Sequence, residues 1–209
     1  MSDCLRGVCR GWGRLTRLLT TGNLRAEKGD CLLRESDLFA FIEDLQLIVL
    51  PPAGDALLGR LAAAAPQRVW LGATMLRRGR DARRLAGLRE QSARTGVPLI
   101  ALNDALYADP GARPLHDVMT AIREKTTVQA AGRRLAVNAE RHLKPAEEMA
   151  RLFSAAPEAL AATQDFVAGV DFTLDQLRYE YPHEPVPPGF TPQEWLEELV
   201  WTEARARWP

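Results

Sequence analysis

Short, nearly continuous apolar runs alternate with amphipathic stretches through the first half of the chain. Residues 45–50 (LQLIVL) are closed by Pro51-Pro52, the pattern of a strand buried on both faces. Residues 68–76 (RVWLGATML) and 97–104 (VPLIALND) repeat it. Between these runs lie two helical stretches. Residues 56–65 are alanine-rich and end before Pro66; residues 81–94 turn Leu85 and Leu88 toward a core and stop at Gly96. Residues 114–124 read as a further helix whose Leu115, Val118, Met119 and Ile122 face a core. Strand and helix alternating three times on short connections predict parallel strands with crossover helices, an α/β layer or barrel. Three or four strands are too few to close a barrel, so the pattern predicts part of one.

The flanks are helical. Residues 12–20 place Leu15, Leu18 and Leu19 on one side and end at a Gly22-Asn23 turn signal. A second helix, DLFAFIED, takes Ser36 as its N-cap. Beyond Thr126 the pattern changes to a short extended piece, then a helix from Pro145 and another over 157–170. Prolines at 182, 185, 187 and 188 predict a stiff, extended path. Thr191, Pro192 and Glu194 then spell a helix start for residues 191–207.

Composition adds little and charge somewhat more. The 209 residues are 46% hydrophobic and 26% charged, an ordinary globular balance for one domain or one domain and part of another. No apolar run is long enough to span a membrane, and arginines interrupt any signal-peptide core, so the expected location is the cytoplasm. Cys4, Cys9 and Cys31 are odd in number and unevenly spaced, which argues against a disulfide framework. Net charge is zero, but residues 60–94 hold nine arginines against Asp81 and Glu90. Residues 171–209 hold eight acids against three arginines. The basic half suits phosphates and the acidic end suits a basic partner, or both are simply solvated surface.

No catalytic centre can be assembled from the residues. There is neither a G-x-x-x-x-G-K-[ST] nor a G-x-G-x-x-G phosphate loop, and no G-x-S-x-G elbow. Parallel strands collect ligands at their carboxyl ends, which makes Asp104 the best-placed metal-ligand candidate. His116, His142 and His183 form no pair at ligand spacing, so capping or hydrogen bonding by Asp104 is the alternative role. The densest polar cluster is NAERHLKP, residues 138–145. Arg141, His142 and Lys144 there are candidates for nucleic-acid or domain contact, or for a hydrogen-bond cluster at a domain edge.

Residues 113–153, RPLHDVMTAIREKTTVQAAGRRLAVNAERHLKPAEEMARLF, resemble a segment of the bacterial DNA polymerase III alpha subunits, and most of all their error-prone branch. The stretch from FTLDQLRYEY to the last residue is similar to the next segment of the same branch. GWGRLTRLLTTGNLRAEKGDCLL, residues 11–33, is similar more loosely to the middle of the family's PHP (polymerase and histidinol phosphatase) domain. The resemblance implies a partial PHP-type distorted β/α barrel followed by a mostly helical segment. Residues 1–10 are then an atypical start and 11–135 the later part of the PHP-like domain. Residues 136–177 become a junction, and 178–209 a proline-rich connector with the first helix toward a palm. The family's last PHP metal motif, Asp-x-His, falls on Asp104-Ala105-Leu106, where leucine replaces the histidine. The palm of the family binds two Mg²⁺ ions through an aspartate cluster, and no Asp-x-Asp occurs in these 209 residues.

The resulting expectation is a fragment of an error-prone DNA-directed DNA polymerase acting in replication and lesion-tolerant repair synthesis. The fragment itself is expected to be non-catalytic and to hold no cofactor, with Mg²⁺ needed only by the full-length polymerase. Its expected partners are DNA in the full-length context, other polymerase domains, and mutagenesis or repair proteins, with no membrane. Two other readings remain: a small PHP-type metal-dependent phosphoesterase, and a non-catalytic nucleic-acid-binding module gripping phosphates through residues 60–94.

Overall fold

The computed structural model describes residues 10–177 and 185–208. The readings of Cys4 and Cys9, of residues 178–184 and of His183 fall outside them. The chain divides into two units, Met1–Phe172 and Thr173–Pro209.

The first unit is organised by a parallel three-stranded sheet in the order β1-β2-β3: β1 Leu47–Val49, β2 Val69–Thr74 and β3 Leu99–Leu102. Leu47 lies opposite Val69, and Leu71 opposite Leu99. Parallel neighbours cannot be joined by a tight turn, because consecutive strand ends lie at opposite edges. Helices α3 (Asp55–Ala64) and α4 (Asp81–Thr95) make the two returns. Gly96 ends α4 in the left-handed region (φ 70°), and its N–H bonds Ser92 O.

Alternation along β2 builds two cores. Val69, Leu71 and Ala73 join Leu58 and Leu61 of α3, Leu85 of α4, and Phe153, Ala156 and Ala159. Trp70, on the opposite face, packs with Ile48, Ile100, Ala162 and Phe166. The Phe166 ring meets Trp70 edge-on at 5.2 Å. Phe153 and Ala156 lie in the turn that follows α7 (Ala146–Leu152), whose Met149 and Leu152 pack beside them; Ala159, Ala162 and Phe166 belong to α8 (Pro157–Ala168), which packs against β3. The α/β class expected from the sequence is therefore present, as a small sheet among many helices. β1 is shorter than the apolar run that predicts it and only half-buried, whereas the other edge strand, β3, is buried over Leu99–Ala101 where α8 packs on it.

Three local expectations are corrected. The first helix, α1 (Arg10–Arg25), runs straight through Gly22-Asn23. Gly22 is buried where residues 31–33 cross the helix: a Cβ there would lie 2.5 Å from Cys31 Sγ and 2.7 Å from Leu33 Cδ2. The glycine permits a close approach instead of ending the helix. Helix α2 (Glu35–Phe41) begins before Ser36, and Asp37 accepts the Arg34 N–H at 2.7 Å in the capping role. Arg25 also grips both oxygens of Asp37, at 2.5 and 3.1 Å, and holds that carboxyl down to about 2.

The third correction concerns α5 (Arg113–Arg123), which the one-turn α6 (Val128–Ala131) follows. Helix α5 buries Thr120 and Ala121, while Leu115, Val118, Met119 and Ile122 are exposed, Ile122 by 71%. The stripe exists at the spacing the sequence requires, but no described element covers it.

In the second unit, α9 spans Pro192–Arg207 and starts as the sequence specifies. Thr191 Oγ1 accepts the Glu194 N–H at 3.3 Å, and the Glu194 carboxylate accepts the Thr191 N–H at 2.8 Å. The Thr191 N–H, and then the Thr191 hydroxyl donating to the same carboxylate at 2.9 Å, hold the Glu194 carboxyl below its usual range. None of the α9 residues is buried. Among the described residues, no helix is long and apolar enough to cross a membrane.

Candidate functional site

At the carboxyl ends of β2 and β3 the chain leaves the sheet in two loops, and a third segment, residues 138–144, ties them together. Asp104 follows β3 in the left-handed region (φ 50°), which an aspartate tolerates better than most side chains. Arg141 closes on it twice: Nη2 donates to Asp104 Oδ1 at 2.7 Å and Nε to the Asp104 carbonyl at 3.1 Å. The backbone adds a short parallel bridge between Tyr107 and His142. Leu106 N–H donates to Arg141 O at 2.7 Å, and Leu143 N–H to Tyr107 O at 3.1 Å.

The other nominated residues are also engaged. His142 Nδ1 lies 2.8 Å from Ala139 O, so that nitrogen carries the proton and donates. The Lys144 side chain is 1% exposed; its ammonium bonds the Glu140 carbonyl and lies 3.7 Å from the Glu140 carboxylate. Burying a lysine is expensive unless it is paired, and Glu140 supplies both partners. Asn138 Nδ2 donates to Leu76 O at 2.8 Å, which fixes the end of the β2 loop. Arg77 of the same loop pairs with Glu140 at 3.4 Å and with Glu148, which also takes Arg151.

The structure thus brings Asp104, Arg141, His142 and Lys144 into one neighbourhood as a latch between two strand-end loops. The PHP metal implied by the family resemblance does not fit the residues present. The Asp104 carboxylate is already neutralised by Arg141, and Leu106, 42% exposed, offers no donor atom. Among the described residues no three His, Cys, Asp or Glu side chains converge as a metal cage.

Sequence reasoning missed two features. One is a cleft of about 480 Å³ between α1, the amino ends of β1 and β2, and the end of α8. Trp12 and Phe172 stack at its rim, 5.0 Å apart, and Asp44 lies there near Arg14 and Arg68, at 3.6 and 3.7 Å. Its lining comes from four distant segments, so no local motif announces it. The other is a set of buried polar atoms without a hydrogen-bond partner around the start of α5, Tyr107 Oη, Arg113 Nε, His116 Nδ1 and Asp117 Oδ1, of which Arg113 Nε still lies 3.5 Å from the other Asp117 oxygen. Tyr107 and His116 are ring neighbours at 5.7 Å.

No protein-family model matches the chain. Individual proteins match along almost all of it. The chain is 54% identical over 196 residues to a protein of Rhodopseudomonas palustris (strain BisB5) named Error-prone DNA polymerase; the match covers 91% of this chain and 18% of that relative. Proteins of the same name from Brucella suis and Caulobacter vibrioides are 53% and 44% identical, over 92% and 95% of this chain and 18% and 19% of their own lengths. The chain spans about a fifth of the length of the curated relatives it matches.

Proposed function

We propose, from the premise that this chain is a relative of the error-prone DNA polymerases, that it forms a non-catalytic scaffold segment of such an enzyme. The observation that carries the reading is the match along 91–96% of the chain at 44–54% identity. Identity at that level over more than nine-tenths of the chain ties most of it to a stretch about a fifth of the length of those polymerases.

Within that piece, residues 11–135 are the later part of a PHP-type domain, with the three-stranded sheet as an arc of its distorted barrel. Residues 136–177 form the junction, and 178–209 lead toward the palm. The latch suits this role: Arg141 and Asn138 brace the strand-end loops, so the next helices leave from a fixed position. The PHP metal position is closed rather than catalytic, with a guanidinium where a cation would sit. Nucleotide transfer, and the Mg²⁺ it requires, then belong to the part of the relatives that this chain does not match. The enzyme so served extends DNA in lesion-tolerant repair synthesis in the cytoplasm.

Primer extension tests the reading. The purified 209-residue chain, given primed template, the four dNTPs and Mg²⁺, should incorporate nothing. Incorporation would overturn the non-catalytic assignment. A second arm supplies Zn²⁺ or Mn²⁺ and a phosphodiester. Hydrolysis that disappears in Asp104→Ala would replace the scaffold with a PHP-type phosphoesterase.

A further inference from the structure

The structure sorts the nine arginines of residues 60–94 into two groups. Six are tied within the protein. Arg60 pairs with Glu35 at 2.6 Å, Arg68 with Asp44 at 3.7 Å, Arg89 with Glu158 and Arg94 with Asp55, both at 3.1 Å. Arg77 is held by Glu140 and Glu148, and Arg84 donates to Thr74 Oγ1 at 3.2 Å and lies 3.8 Å from Asp81. Arg78, Arg80 and Arg83 are exposed, and their guanidiniums engage no partner among the described residues. All three stand together, in the loop that leaves the carboxyl end of β2 and in the first turn of α4.

A second observation falls on the same spot. Arg80 is the N-cap of the 15-residue helix α4 and gives it no side-chain cap, so the first N–H groups of the helix receive no acceptor from the cap residue. Asp81, the acid of that turn, is buried; its Oδ2 accepts the Arg78 N–H at 3.2 Å. The loop is braced at its base by Asn138 on Leu76 and by Arg77, so the free cations rise from a fixed platform.

We infer that Arg78, Arg80 and Arg83, with the uncapped start of α4, form a sequence-independent contact for the phosphate backbone of a nucleic-acid strand. Arginine forks engage phosphate oxygens in pairs, and a helix start donates N–H groups to the same anion. An acidic peptide is the weaker match. Residues 77–84 (RRGRDARR) include no large apolar side chain, and peptide docking draws its energy from buried apolar anchors. The inference stands on these residues alone and survives a failure of the polymerase reading.

Fluorescence anisotropy of a labelled single-stranded oligonucleotide with the 209-residue chain tests it, read as log affinity against log salt between about 50 and about 200 mM. The triple variant Arg78→Ala, Arg80→Ala, Arg83→Ala should lose about 2 from the slope, at about 0.7 per phosphate contact. Its thermal melt should match that of the unsubstituted chain, because the three side chains hold nothing in place. A control triple, Arg60→Ala, Arg89→Ala, Arg94→Ala, removes as much charge from arginines already paired and should keep the slope. Absence of binding at the lowest salt, or equal losses in both triples, would overturn the inference. Displacement of the strand by polyglutamate at equal charge concentration would assign the surface to an acidic protein instead.

Discussion

Helices α4 and α5 carry the same kind of signal in sequence and end in opposite circumstances. Both have apolar residues at helical spacing, and α5 has the fuller stripe. In α4 the stripe meets the sheet: Leu85 is 3% exposed within the main core and Leu88 packs beside it. In α5, Leu115 is 65% exposed and Met119 60%. The polar side differs too. Gln91 and Arg94 of α4 reach across to α3, donating to the two oxygens of Asp55 at 2.8 and 3.1 Å, and Gln91 also bonds Ala53 O at 2.7 Å. α5 makes no comparable clasp to a neighbouring helix among the described residues. Amphipathic spacing therefore says that a helix has a face to bury; neighbouring elements decide whether it is buried.

The comparison can be broken most sharply at Leu85. Leu85→Ala should cost about 2–5 kcal/mol of folding stability, read by urea unfolding, because it empties a site enclosed by sheet and helices. A loss below about 1 kcal/mol would mean that the α4 face is no better packed than that of α5.

A smaller effect is expected at the polar clasp of α4. The Asp55 carboxyl is held below its usual range, first by the Gln91 hydrogen bond and then by that from Arg94. A carboxyl with a depressed folded-state pKa contributes stability above its unfolded value of about 3.9 and loses it as pH falls through the folded value. Asp55→Asn should accordingly lower the melting temperature at neutral pH, and the gap to the unsubstituted chain should close below about pH 4. A gap that stays constant across that range would show that the clasp contributes sterically rather than by charge.

The smallest effect belongs to α5. Replacing Leu115 and Ile122 together by glutamine should change unfolding free energy by no more than about 0.5 kcal/mol, since neither loses a buried contact. A drop comparable to that of Leu85→Ala would show the stripe to be covered in solution, and the contrast between the helices would vanish.

Much of the fold is legible in the sequence because its signals are local. The apolar runs at 45–50, 68–76 and 97–104, bounded by Pro or charged residues, each contain the observed strand. Gly96 and Thr191 mark helix ends correctly, since each acts through backbone geometry within a few residues. Gly22 misleads because its role is a contact with Cys31 and Leu33, nine and eleven positions away, which no turn rule contains. Ser36 misleads because Asp37, one residue on, both accepts the Arg34 N–H and pairs with Arg25. At the candidate site, the strand-end position of Asp104 is readable, whereas its partner Arg141 lies 37 residues on.

By itself the sequence determined the alternation of strand and helix, the parallel order that short crossovers enforce, and the likeness to proteins named Error-prone DNA polymerase. It also determined which arginines exist, but not which are free. Only the tertiary structure set Arg141 against Asp104, enclosed Leu85 while leaving Leu115 bare, and left Arg78, Arg80 and Arg83 unpaired among the described residues beside the start of α4. The physical reason is one of range. Backbone propensities and caps act over a few residues of chain, whereas charge pairing and burial depend on distances in space that only the folded chain creates.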